Sequence, residues 1–88
     1  MSPLSPPTLA DLASGQHATV AGMHPSGPEA DAGLLRRLTE IGFVPGEPVQ
    51  LLRRGPGGRE PLAVQVGDTL FALRLVEARC VQIETPHA

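Results

Sequence analysis

Residues 34–46 have the sequence LLRRLTEIGFVPG, which combines a helical pattern with an abrupt stop. Its first part places apolar residues at i, i+1, i+4 and i+7, which is the spacing of one apolar stripe along an α-helix. The stripe consists of Leu34, Leu35, Leu38 and Ile41. Gly42 follows at once, as a residue that ends a helix with positive φ commonly does. The stretch therefore predicts a helix that buries one face and ends at Gly42.

The residues after the helix predict a tight reversal into a strand. Phe43 is placed to fold back on the last helical turn, and Pro45 with Gly46 fits a type II turn. Further along, Gly67 followed by Asp68 fits a two-residue hairpin turn. We therefore predict structural turn roles for four residues: Gly42, Pro45, Gly46 and Gly67.

The rest of the chain reads as short strands. Alternation of apolar and polar residues predicts strands near 16–23, 48–54, 62–66, 69–74 and 80–84, with a short helical turn near 75–79. Short, curved antiparallel strands commonly close into a small barrel, which removes exposed edges. We predict a mainly β fold, a barrel of about five strands with one α-helix inserted after the first. Leu38, Val64 and Val66 are predicted core residues.

Length and composition limit the architecture and the location. The chain has 88 residues, ten glycines, ten prolines, one cysteine and a formal net charge of -2. That length allows one domain, predicted at 8–85 between a disordered Pro-rich segment at 1–7 and a tail at 86–88. One cysteine excludes an intrachain disulfide and suits a reducing compartment. The start lacks a secretory signal pattern, and no apolar run is long enough for a bilayer, so we expect a cytoplasmic protein without membrane insertion.

Three blocks of the sequence, taken together, resemble the FeoA family. They are LRRLTEIGFVPG, then VQLLRR, then, after the hairpin glycine, ALRLVEARCVQI. The resemblance spans about residues 9–84 and implies an SH3-like barrel. It also implies a role beside FeoB, the iron permease of bacterial ferrous-iron uptake, which carries a cytosolic GTP-binding domain. The same module is similar to the C-terminal domain of DtxR-type repressors, which implies the alternative of a metal-responsive regulatory module.

Catalytic and metal-binding signatures are weak in this sequence. The GPGG run lacks the Lys-Ser/Thr ending of a phosphate-binding loop, so we expect no enzyme. His17, His24 and Cys80 are weak candidates for adventitious metal binding, because no pair of ligands has the spacing of a zinc or iron site. Cys80 is more readily explained as a small core residue. We therefore expect no cofactor and no physiological metal site.

The charged residues predict a surface for a protein partner. All seven basic residues are arginines, but the mild net acidity argues against a dedicated nucleic-acid binder. The chain has no Tyr or Trp to build an aromatic groove for proline-rich peptides. Arginine is enriched at protein interfaces, although paired charges on a helix can also be merely solvated. We predict docking on FeoB through a set on the helix and the strand after it: Arg36, Arg37, Glu40, Arg53 and Arg54.

Overall fold

The computed structural model describes residues 7–28 and 30–85. The predicted disordered segment and the tail at 86–88 therefore lie outside the described residues, except for Pro7. The Pro7 carbonyl accepts a hydrogen bond of 3.0 Å from the Ile83 N–H, so Pro7 is already attached to the last strand.

Five strands and two helices follow the predicted order. The strands are β1 (His17–Met23), β2 (Pro48–Arg54), β3 (Leu62–Val66), β4 (Thr69–Leu73) and β5 (Val81–Glu84). Helix α1 (Ala32–Glu40) lies between β1 and β2, and the single turn α2 (Leu75–Ala78) precedes β5. Two short 3₁₀ turns, Leu9–Asp11 and Pro56–Gly58, complete the described elements. The mainly β fold and the positions of both helices confirm the prediction.

The strands form one antiparallel sheet that stays open. Its order is β4-β3-β2-β1-β5, and β4 does not pair with β5. The expectation of a closed barrel is therefore wrong for the described residues. The outer side of β5 is already engaged, because Thr8 bridges to Gln82 and Pro7 accepts from Ile83. Those contacts use the backbone groups that closure onto β4 would need.

The apolar core lies on one face of the sheet, and the apolar stripe of α1 packs against it. Leu38 of α1 is 1% exposed, while Val64 and Val66 of β3 are 0% and 4% exposed, as predicted. Leu34, Leu35 and Ile41 are partly buried and pack against the same cluster. The apolar stripe of the helix therefore fixes which of its sides faces solvent.

Helix α1 ends in a Schellman motif. The Phe43 N–H donates to the Leu38 carbonyl and the Gly42 N–H donates to the Thr39 carbonyl, both at 3.1 Å. This pairing satisfies two carbonyls that the helix end would otherwise leave without partners. Gly42 has φ +125°, and Phe43 is fully buried beneath the helix. Gly42 therefore ends the helix, and the buried Phe43 side chain attaches this end to the core.

The other predicted turns are also present. Gly46 has φ +93° after Pro45, and the Glu47 N–H donates to the Val44 carbonyl at 3.1 Å. Gly67 has φ +56° and begins the two-residue turn between β3 and β4. Gly42, Gly46 and Gly67 thus all have positive φ.

Replacing Gly42 by valine should lower the free energy of unfolding by more than about 1 kcal/mol, because a β-branched residue is disfavoured at positive φ. Steric clash adds little, since a Cβ at this position would lie 3.6 Å from the nearest Val66 methyl. Chemical denaturation of Gly42→Val beside Gly42→Ala measures the effect, with the alanine variant losing less. Equal stability of Gly42→Val and the wild type would contradict the strained helix end.

Candidate docking surface on helix α1

Helix α1 is held at its N-terminus as well as along its apolar stripe. The Asp31 side chain accepts a hydrogen bond of 2.9 Å from the Leu34 N–H, which makes Asp31 the N-cap. A capping carboxylate satisfies one free N–H group and favours the positive end of the helix dipole. The helix is thus fixed at both ends, and its outward side has a defined orientation.

Arg36 and Arg37 form the outward side of α1, and this pair is called the α1 basic face below. Both side chains are exposed, as is that of the neighbouring Glu40. Among the described residues the one ion pair is Arg74–Glu77, at 3.8 Å, so neither arginine of the α1 basic face is paired there. Consecutive helical residues point about 100° apart, so the two guanidinium groups make a broad strip and cannot clamp one carboxylate together.

Arg53 does not lie beside the α1 basic face. It pairs with Ala63 of β3, whose neighbours Leu62 and Val64 face the core. Arg53 is exposed and therefore projects from the face of the sheet opposite the core, away from the face against which α1 packs. The structure does not bring Arg53 together with Arg36 and Arg37.

Arg54 has a structural role inside the chain. Its guanidinium donates to the Ala10 carbonyl at 2.6 Å and to the Leu12 carbonyl at 2.8 Å, with a longer contact of 3.4 Å to the Gly58 carbonyl. Charge-assisted bonds of this kind are the stronger hydrogen bonds in proteins. Arg54 therefore fastens the first 3₁₀ turn to the end of β2 and is not available as a docking residue in this conformation.

The three weak metal candidates differ in burial, although the His24 N–H donates a hydrogen bond of 2.9 Å to the Cys80 carbonyl. His17 is exposed at the start of β1, where it borders a shallow depression with Pro48, Gln50 and Gln65. His24 is exposed, whereas Cys80 is fully buried and its thiol lies 3.2 Å from the Val76 carbonyl. Across residues 7–28 and 30–85, no three His, Cys, Asp or Glu side chains come close enough to share one metal ion.

The surface offers few other features for recognition in the described ranges. Its depressions are shallow and lie across neighbouring strands near His17 and Glu84. None of the described helices has the length and hydropathy needed to cross a membrane. The α1 basic face is an exposed charged surface on a helix whose two ends are fixed by hydrogen bonds.

Comparison with known proteins identifies the family. The model of the FeoA domain matches residues 8–85. The crystal structure of Stenotrophomonas maltophilia FeoA complexed with zinc is 43% identical, with a TM-score of 0.76 and 88% of each chain covered. Iron(II) transport protein A from Clostridium thermocellum is 29% identical, with a TM-score of 0.73 over 89% of this chain and 44% of that one. No curated protein gave a significant match.

A more distant likeness concerns the fold alone. A manganese-dependent transcriptional repressor is 21% identical, with a TM-score of 0.73 over 93% of this chain and 44% of the repressor. The fold of the five-stranded sheet with its inserted helix is SH3-like, although its edges stay apart. Because the domain match spans residues 8–85 and the structure described above is 43% identical, the chain belongs to the FeoA family of small accessory proteins of ferrous iron transport.

Proposed function

We propose that this protein acts in the cytoplasm, where it docks on the cytosolic domain of a FeoB-type iron permease and modulates iron uptake. The family supports a role in ferrous iron transport. The observation that carries the docking step is the α1 basic face, whose two arginines are exposed and unpaired among the described residues.

The α1 basic face has the physical properties of a docking surface. The helix beneath it is fixed by its N-cap, its apolar stripe and its Schellman motif, so little conformational freedom remains to be lost on binding. Guanidinium groups bind carboxylates through directed hydrogen bonds and lose their hydration more readily than ammonium groups. An acidic patch on the permease domain would therefore complement this face.

The alternative of a metal-responsive regulatory module has less support. Its basis is the likeness to the repressor, which at 21% identity concerns the fold alone. No described cluster of side chains favours metal sensing over docking. The two functions differ in what they change in the cell: a docking protein alters transport by a fixed amount of permease, whereas a regulatory module alters how much permease is made.

Measurement of ferrous iron uptake in cells with and without this protein tests the proposal. The permease is expressed from a constant promoter and its amount is measured in each strain. We expect uptake per permease molecule to change when the protein is absent and to return on complementation with the wild type. Uptake per permease that is the same in all strains would contradict docking and modulation. A changed amount of permease from the native promoter, with unchanged uptake per molecule, would favour the regulatory alternative.

A further inference from the structure

The two edge strands of the sheet, β5 and β4, differ in whether their outer side has a backbone partner. The outer side of β5 is partnered by residues 7 and 8. The outer side of β4 has no such partner, since no hydrogen bond from another described residue reaches Leu70 or Ala72 beyond the ladder with β3. Strand β4 is therefore the open edge of the described sheet.

The register of the hairpin identifies which backbone groups point outward. Val66 pairs with Thr69 across the two-residue turn, and such a flanking pair exchanges both of its backbone hydrogen bonds. Because bonded and non-bonded pairs alternate in an antiparallel ladder, Phe71 and Leu73 also bond to β3. The N–H and C=O groups of Leu70 and Ala72 therefore point away from the sheet.

Strand β4 lacks the features that usually keep an edge from pairing. Natural edge strands carry a charge, a proline or a bulge, or they are covered. The residues of β4 are TLFAL, and its register with β3 is regular over five pairs. Leu70, at the middle of the free edge, is 62% exposed and is the one exposed large apolar side chain of the described residues. This combination favours pairing with another strand.

The sequence around β4 is complementary to itself. In an antiparallel pair of two β4 strands centred on Phe71, Leu70 lies opposite the partner's Ala72. Asp68, in the turn just before β4, and Arg74, just after β4, flank this pair at equal distances along the sequence, so each comes near the other residue of the partner. Opposite charges directly across a strand pair are stabilising, and like charges are destabilising. The two-fold symmetry of such a pair repeats each contact, as in most homodimers.

We propose that the free edge of β4 pairs with β4 of a second copy of this chain, forming a symmetric antiparallel dimer centred on Phe71. The dimer has two backbone-bonded pairs, each of Leu70 with the partner's Ala72. Two ion pairs of Asp68 with the partner's Arg74 flank them. The Arg74 side chain is 63% exposed despite its 3.8 Å contact with Glu77, so it is accessible to a partner. This inference does not rest on the proposed docking function, because different residues form the α1 basic face and the free edge of β4.

Sedimentation velocity with reversed charges tests the register of this dimer. The wild type should shift from monomer towards dimer as its concentration rises from about 10 µM to about 1 mM. High concentrations are needed because an interface of two short strands is small, and small interfaces are weak and transient. Asp68→Arg alone and Arg74→Asp alone should each associate about tenfold more weakly, since each places like charges opposite one another twice. An equimolar mixture of the two variants should recover dimer. In the mixed dimer, the two basic residues of the Asp68→Arg chain lie opposite the two acidic residues of the Arg74→Asp chain. Neither variant carries a net positive charge, so non-specific attraction between oppositely charged proteins does not explain a mixed dimer.

A backbone variant tests the edge itself. Ala72→Pro removes an N–H that faces away from β3, so circular dichroism should remain that of the wild type while the dimer is lost. A wild type that stays monomeric at the highest concentration would overturn the proposal. So would a mixture of charge variants that does not recover dimer, or an Ala72→Pro variant that is folded and associates normally. Slow amide exchange of Leu70 and Ala72 in dilute monomer would also overturn it, because the chain itself would then cover the edge.

Discussion

Replacing Leu38 by alanine is expected to lower the free energy of unfolding by about 2–5 kcal/mol, the range for a buried leucine that leaves a cavity. Leu38 is 1% exposed, and its carbonyl accepts the hydrogen bond that closes the end of α1. The stability of a small domain is low, so a loss of this size is a large fraction of the total. Urea denaturation monitored by circular dichroism measures it. Near-normal stability of Leu38→Ala would show that α1 does not cover the core.

The same chemical change at an exposed position provides the control. Leu70 is 62% exposed, so Leu70→Ala removes the same atoms without opening a buried cavity. Its effect on the free energy of unfolding should be within about 0.5 kcal/mol. The comparison is made at low protein concentration, where association through β4 does not contribute. Equal losses at both positions would contradict the burial that places α1 on the sheet.

Reversing the charge of the α1 basic face is expected to remove the effect of this protein on iron uptake while leaving it folded. Arg36 and Arg37 are exposed and make no ion pair with described residues, so their loss changes the fold little. At an interface, Arg36→Glu with Arg37→Glu replaces attraction by repulsion. Uptake in cells should therefore match the level seen without the protein, at equal amounts of protein and permease.

A matched control separates the α1 basic face from net charge. Arg59→Glu with Arg79→Glu makes the same change in net charge at two exposed residues on other elements. This control should support normal uptake. Normal uptake with the reversed α1 face would show that Arg36 and Arg37 are only a solvated helix surface. Reduced uptake with both pairs of substitutions would indicate that net charge, and not this face, is what matters.

The helix and its ending could be predicted from the sequence because local physics determines them. The spacing of Leu34, Leu35, Leu38 and Ile41 fits one face of an α-helix. A glycine followed by an apolar residue is a common helix end. The hairpin at Gly67 was equally local. Each of these features depends on residues within a few positions of one another.

The role of Arg54 could not be predicted, because it depends on an irregularity between strands. Simple alternation from Val49 and Leu51 would turn Arg53 inward and Arg54 outward. The register of β2 against β3 shifts between Leu51 and Arg53, which reverses the two. No residue in LLRR marks a bulge, and the carbonyls that receive Arg54 lie more than 40 positions away along the chain. This one shift therefore places two predicted docking residues on opposite faces of the sheet, with Arg53 outward and Arg54 inward.

The open edge of the sheet was missed for a related reason. A sheet closes into a barrel only if its two edge strands pair with each other. Alternation of apolar and polar residues within a strand does not indicate which strand it pairs with. Here residues 7 and 8 bind β5 and β4 remains free. The sequence at 7–8 has no strand-like alternation that would have indicated this pairing.

Titration of the isolated cytosolic domain of the FeoB permease with this protein is the most direct test of docking through the α1 basic face. Calorimetry is performed with the wild type, the Arg36→Glu and Arg37→Glu double variant, and the Arg59→Glu and Arg79→Glu control. We expect the wild type and the control to bind with equal affinity that weakens as salt is added, because ion pairs at the rim of an interface are screened. The double variant should bind at least about tenfold more weakly. Equal affinity of the double variant and the wild type, with both folded, would contradict docking through this helix.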